Sequence, residues 1–215
     1  MEALSAFDVA TVHEAYGRRG LMDPAIRPIA DGLTLCGPAV TSLNAPGDNL
    51  MVHAALDVCR PGDVLVVSTT EPSIHGMVGE LVATQARARG IVGIVLDAGV
   101  RDVAELRAMG FPAWARTISA LGTAKSAPGW VNVPVRCGGL TVTPGDAVLA
   151  GYDGVVVVAR DDLGSVLLAA AARTAREEGL RERYAGGESS MDVNDLRSIL
   201  ERLGVEYEAG YTEDP

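Results

Sequence analysis

The sequence predicts an α/β domain built on a mixed sheet. Apolar, β-branched runs alternate with helical periodicity through the middle of the chain, and strand-like runs crowd together toward residue 158. Composition agrees: 215 residues, 48% hydrophobic and 21% charged, supply a full core without disulfides or a structural metal.

Taken in order, residues 5–17 read as a helix with Phe7, Val12 and Ala15 on one face and Ser5 or Asp8 as its cap. Residues 33–43 alternate around Gly37-Pro38 and read as strand, turn, strand. Residues 48–58 place Leu50, Val52, Ala54, Ala55 and Val58 at helical spacing. The turn Arg60-Pro61-Gly62-Asp63 leads into a buried strand at 64–67. Residues 79–90 form a helix closed by Arg87, Arg89 and Gly90, followed by a buried strand at 91–96. A helix at 103–109 and short strands at 112–115 and 132–138 come next. Thr143-Pro144-Gly145-Asp146 breaks a strand pair over 140–148, and the run Val155-Val156-Val157-Val158 is a buried strand. From 162 to 184 the pattern is helical, ended by Gly186-Gly187. A last helix spans 193–203 and an acidic tail 206–215.

Net charge of -10 offers no basic stripe to neutralise phosphates, so a nucleic-acid partner is not expected. No apolar run reaches 18 residues and the first residues lack a leader's basic and apolar regions, so neither membrane nor export is expected. Cys36, Cys59 and Cys137 have no CxxC spacing and read as thiols of a reducing, cytoplasmic compartment.

The densest chemistry is Gly79-Glu80-Leu81 at a helix start, together with the strand end Asp97-Ala98-Gly99-Val100-Arg101-Asp102. Ligand sites of α/β proteins gather at strand C-terminal ends, and free amides at a helix start attract carboxylates. Glu80 and Asp102 are hard oxygen donors suited to Mg²⁺ or Mn²⁺, and Arg101 suits an anion or a developing enolate. The plainer alternative makes Glu80 a first-turn acid, Asp102 the N-cap of the next helix and Arg101 a surface ion pair.

Several segments together resemble the RraA-like family. They include Gly37-Pro38-Ala39-Val40-Thr41, Gly47-Asp48-Asn49-Leu50, Pro61-Gly62-Asp63, Gly79-Glu80-Leu81, Val100-Arg101-Asp102, Pro144-Gly145-Asp146 and Asp153-Gly154. That family contains the class II aldolases of 4-hydroxy-4-methyl-2-oxoglutarate and 4-carboxy-4-hydroxy-2-oxoadipate. The resemblance implies a swivelling β/β/α domain over residues 1–188, with 189–215 as a C-terminal helical extension, assembled as trimers or hexamers with sites between subunits. It implies a divalent metal, Mg²⁺ or Mn²⁺, near Asp102, with Glu80 and a neighbour's C-terminal acid acting through waters. That acid falls on Glu177, four residues before Arg181, with Glu178 as the alternative and a surface Glu177–Arg181 pair as the plain reading. It also matches Arg101 to an essential arginine and the amides near Leu81 to a pyruvate cradle.

The implied activity is cleavage of a 4-hydroxy-2-oxo acid to pyruvate, with oxaloacetate decarboxylation as a side reaction through the same enolate. The family also holds non-enzymatic regulators of a ribonuclease complex, which lack the C-terminal acid. A methyltransferase label met in the family fits poorly, because the turn after the strand at 91–96 lacks the repeated glycines of a nucleotide site. Two departures bear on specificity: Ser73-Ile74-His75 stands where the family carries a Gly-Asn or Gly-Asp loop, and Gly151-Tyr152 replaces an acid before Asp153-Gly154. His75 is thus a specificity contact or an ordinary loop histidine. Lys125, the only lysine, lies in a loop of turn formers. It reads as solvated or as meeting a substrate carboxylate, not as a Schiff-base nucleophile.

Overall fold

The computed structural model describes residues 1–206, so the expected acidic tail lies outside the described residues apart from Glu206. Contacts divide the chain into two compact units, Met1–Ala170 and Ala171–Pro215.

The first unit opens with α1 (Val9–Ala15), capped by Asp8, whose carboxylate accepts from the Thr11 amide at 2.7 Å. Then follow β1 (Arg27–Pro28), β2 (Leu35–Asn44), α2 (Leu50–Val58), β3 (Val64–Thr69), β4 (Gly76–Val78), α3 (Glu80–Ala88), β5 (Gly93–Val100), α4 (Val103–Ala108) and β6 (Ala113–Ile118). The unit continues with β7 (Trp130–Val131), β8 (Val135–Cys137), β9 (Leu140–Val142), β10 (Ala147–Gly151), β11 (Gly154–Val158) and the start of α5 (Leu163–Ala185). Nine strands make one mixed sheet in the order β1-β6-β5-β3-β2-β10-β11, with β4 beside β5 and β7 beside β2, while β8 and β9 form a separate hairpin. β2, β3, β5 and β6 run parallel at the centre, and β10 and β11 add antiparallel. The α/β class with a mixed sheet is therefore as the sequence predicts.

The expected break at Gly37-Pro38 is absent, because β2 is one continuous strand that changes partners there. Up to Pro38 it pairs antiparallel with β10, and from Ala39 it pairs parallel with β3. Proline has no N–H to give to a ladder, so it is tolerated at the changeover. β5 also outruns the expected 91–96, continuing through a bulge between Leu96 and Gly99 to Val100.

The central strands are covered on both faces, which is why their sequences are continuous apolar runs instead of alternating ones. One face packs Leu65, Ile94 and Leu96 with Leu56 of α2 and Leu106 of α4. The other gathers Val66, Val95 and Val148 around Trp114, whose buried indole N–H donates to the Gly151 carbonyl at 3.0 Å. The three cysteines are free thiols. Burial raises each of them, Cys59 to about 12. No helix among the described residues is long and apolar enough to cross a membrane.

The second unit holds the rest of α5, α6 (Ser190–Val193) and α7 (Leu196–Leu203). The single helix expected over 193–203 is thus interrupted, at Asp195, whose φ of 53° is left-handed. None of residues 171–206 is buried, and Leu196, Ile199, Leu200 and Leu203 line one side of α7.

Candidate active site

β5 ends at Val100, and the Arg101 amide donates to the Val78 carbonyl at 2.9 Å, tying the strand end to the chain that enters α3. Asp102 follows with φ 53° and ψ 41°. An aspartate in this left-handed region costs about 1 kcal/mol and persists only where its surroundings hold it. It occupies the N-cap position of α4 but makes no side-chain cap there. Its Oδ2 instead accepts from the Glu80 amide at 3.0 Å, capping the neighbouring helix α3. Asp102 thus stands at the N-cap position that the plainer reading gives it, but the left-handed turn aims the carboxylate across to α3, and Oδ1 takes no hydrogen bond from the described residues.

Gly79, the N-cap residue of α3, has no side chain to contribute, and a Cβ there would overlap Asp102 Oδ2 and press on Arg101. Gly79→Ala is accordingly expected to displace the carboxylate, costing roughly 1–3 kcal/mol by overpacking and weakening any Mn²⁺ binding that depends on it. Thermal unfolding and a Mn²⁺ titration read the two effects. Unchanged values of both would show that the carboxylate is not lodged against this helix start.

Past Glu80, the amides of Leu81 and Val82 find no acceptor among the described residues, leaving two donors at the positive end of α3. Leu81 itself is 79% exposed. The Glu80 carboxylate accepts from Thr84 Oγ1 at 2.8 Å through Oε1. Arg101 lays its aliphatic stem over Gly76 and Gly79. Its Nε is buried, has no hydrogen-bond partner and stands 3.7 Å from Asp102 Oδ2. An ion pair that long and 41% exposed is worth under about 1 kcal/mol, so pairing with Asp102 alone does not account for a guanidinium with a buried, unused donor.

Gly79, Glu80, Leu81, Arg101 and Asp102 thus come together at one strand end and one helix start. Glu177 lies in the second unit, where its carboxylate meets Arg173 at 2.6 Å. The expected alternative pair with Arg181 is not formed. Arg181 sits 3.6 Å from Glu178, while Glu177 turns back one helical turn toward Arg173.

The structure adds residues to which sequence reasoning gave no role. Asp48 is buried and accepts from the amides of Ser126 (2.6 Å), Ala127 (2.9 Å) and Leu50 (2.9 Å). Burial pushes its carboxyl upward, but those amides outweigh it and hold it below the usual range. The loop carrying Lys125 is thereby clamped beside Arg101, with Gly122 facing Arg101 Nη1. The next residue, Asn49, donates to the Met77 carbonyl at 2.9 Å and leaves Oδ1 buried without a partner. Burial, then the charge of Lys125, holds His53 below the ordinary histidine range. The one available signal was Gly47-Asp48-Asn49 itself, since polar residues just before an apolar helix are more often caps than clamps.

No group of three or more His, Cys, Asp or Glu side chains able to hold a metal occurs among the described residues. Asp102 Oδ1 and the second oxygen of Glu80 still fit Mg²⁺ or Mn²⁺, which need only one or two carboxylates and keep several waters.

The RraA-like family model, described as Aldolase/RraA, matches residues 9–157. The chain belongs to the RraA-like family. A protein of Halalkalibacterium halodurans provisionally named a 4-hydroxy-4-methyl-2-oxoglutarate aldolase is 34% identical over 178 residues, 83% of this chain and 82% of its own. One of Burkholderia multivorans with the same provisional name is 35% identical over 155 residues, covering 71% of this chain and 94% of its own. Among solved structures, Streptomyces coelicolor RraAS2, described as an unusual member of the RNase ES inhibitor RraA protein family, superposes with a TM-score of 0.75. It is 30% identical, covering 85% of this chain and 96% of that one. RraA-like relatives thus bear both aldolase and inhibitor names, and the two readings are separated by chemistry.

Proposed function

We propose that the protein is a divalent-metal-dependent retro-aldolase that releases pyruvate from a 4-hydroxy-2-oxo acid. The observation that carries this reading is the pair of unused donors, the Leu81 and Val82 amides, beside the partly exposed guanidinium of Arg101 and the open carboxylate of Asp102. The provisional aldolase names of relatives at 34% and 35% identity support it.

The substrate's C1 carboxylate accepts from the Leu81 and Val82 amides, where the α3 dipole favours negative charge. The guanidinium of Arg101 faces the C2 keto oxygen and stabilises the charge that grows there. The C4 hydroxyl gives its proton to water hydrogen-bonded to Asp102 Oδ1, the C3–C4 bond breaks, C4 becomes a carbonyl and the electron pair reaches the enolate oxygen. C3 then takes a proton from water, giving pyruvate. Asp102 and Glu80 would hold Mg²⁺ or Mn²⁺, and when bound that ion would supply Lewis acidity and an acidified water. Oxaloacetate loses carbon dioxide through the same enolate.

The site is completed by a second copy of the chain. Ile74, Leu81, Ile118 and Leu121 stand exposed on the segments around Arg101, an apolar rim that water alone covers poorly. The second unit, none of whose described residues is buried, would seat on a neighbouring copy and bring Glu177 to its metal. The assembly is a trimer or hexamer working in the cytoplasm. A ribonuclease-binding role, suggested by the likeness to RraAS2, requires neither Glu177 nor the unused donor of Arg101.

The deciding experiment is pyruvate release from 4-hydroxy-4-methyl-2-oxoglutarate and from oxaloacetate, with and without Mg²⁺ or Mn²⁺. Metal-dependent release from both is expected, and no release from either overturns the aldolase reading. Glu177→Ala is expected to raise the metal concentration needed for half-maximal rate while lowering Tm only slightly, since alanine suits a helix and the half-buried pair with Arg173 is worth about 1 kcal/mol or less. Mixed with Arg101→Ala chains, it should recover part of the lost activity by forming complete sites. An unchanged metal requirement removes Glu177, and Glu178→Ala is then the variant to measure.

A further inference from the structure

We propose that His75 is the specificity contact for the substrate's second carboxylate, the one carried on C4; this rests on the aldolase reading above. The segment that carries it is fixed against the reacting end of the site. The His75 carbonyl accepts from the Gly99 amide at 3.1 Å, and the next residue, Gly76, lies against the Arg101 stem. The ring's orientation is set by Ser73. Its Oγ accepts from the His75 backbone N–H at 3.3 Å, so the hydroxyl proton is available to Nδ1 at 3.2 Å. With Nδ1 accepting from that hydroxyl, the ring N–H lies on Nε2.

That Nε2–H has no partner among the described residues. Gly47 keeps it open: a Cβ at this position, where φ is +71°, would come within 3.0 Å of Nε2. The Gly47 carbonyl accepts from the Ala124 amide at 2.9 Å, and Gly122 of the same loop faces Arg101 Nη1. Gly47, against the ring edge, is therefore tied to the loop that faces the guanidinium. With C1 at the α3 amides and C2 at Arg101, a donor on this side meets the group leaving with C4. In 4-hydroxy-4-methyl-2-oxoglutarate that group is a carboxylate. A charge-assisted N–H···O bond from Nε2 distinguishes it from an aldehyde-type leaving fragment that has no carboxylate.

The test compares His75→Ala and His75→Gln with the unmodified protein in the presence of Mg²⁺. In His75→Ala, KM for 4-hydroxy-4-methyl-2-oxoglutarate should rise about tenfold, corresponding to about 1.4 kcal/mol. The inhibition constant of pyruvate, which lacks the second carboxylate, should not move, and kcat should change less than about twofold. His75→Gln, which keeps a donor N–H, should regain part of the affinity. A KM within twofold in His75→Ala, or a parallel rise in KM and the pyruvate inhibition constant, overturns the proposal, the latter because it marks general damage to the site. The two readings fail differently. An unmodified protein that releases no pyruvate sinks the aldolase assignment and this contact with it, whereas an active protein indifferent to His75→Ala sinks the contact alone.

Discussion

Arg101→Ala is expected to lower kcat for pyruvate release by about 10²–10³, the cost of removing one donor aimed at a developing oxyanion. The effect belongs in kcat more than in KM, because charge on the C2 oxygen is far greater in the enolate-like transition state than in the bound ketone. Oxaloacetate decarboxylation should fall in parallel, since the proposed mechanism has Arg101 meet the same oxygen in both reactions. Arg101→Lys should recover little. The guanidinium reaches the site with its stem spread over Gly76 and Gly79 and with Nε buried between them and Asp102, a placement that a terminal ammonium does not reproduce. The α3 amides remain in both variants, so pyruvate should bind as an inhibitor with little change. Near-normal kcat in Arg101→Ala would return this residue to the role of a surface partner for Asp102.

What the sequence revealed of this site follows from how local each feature is. A buried strand that ends in an arginine and two acids is visible in the residues themselves, because apolar periodicity stops where charge begins. That is how Arg101 and Asp102 stand out beside β5. The left-handed backbone at Asp102 is not visible, since what holds it is the Glu80 amide 22 positions earlier. Asp48 escaped for the same reason: its partners Ser126 and Ala127 are 78 and 79 residues away, and a polar residue before an apolar helix is read as a cap. Strands β1, β4 and β7 have two or three residues each and exist only by pairing with longer neighbours, so no periodicity could mark them. The opposite error arose at Gly37-Pro38, where turn chemistry is genuine locally but is overridden by two different neighbours that hold β2 extended on either side.

Chelation is expected to take pyruvate release to background, with Mg²⁺ or Mn²⁺ restoring it, and borohydride with substrate is expected to leave the protein unmodified. An aldolase carries its enolate equivalent either with a divalent metal or as an enamine on lysine, and the second route has a single candidate here, Lys125. A Schiff-base lysine is normally desolvated in an apolar pocket or pressed by another cation, so that the free amine is available. Lys125 is exposed on the loop at residues 122–127, which Asp48 clamps from below, and its flanking residues are turn formers. The nearby ionisable ring, His53, is itself held below the ordinary histidine range, first by burial and then by Lys125's charge. The proposed metal route draws on other groups of the site. Asp102 presents an unbonded oxygen, Glu80 presents another, and the left-handed turn that aims Asp102 at α3 leaves α4 without a side-chain cap. Asp102→Asn should therefore lower Mn²⁺ affinity at least tenfold, by analogy with lost ligand support, and reduce kcat together with it. Substrate trapped on Lys125, or full activity after exhaustive chelation, would overturn the metal route. Asp102 would then be an aspartate strained only to cap α3.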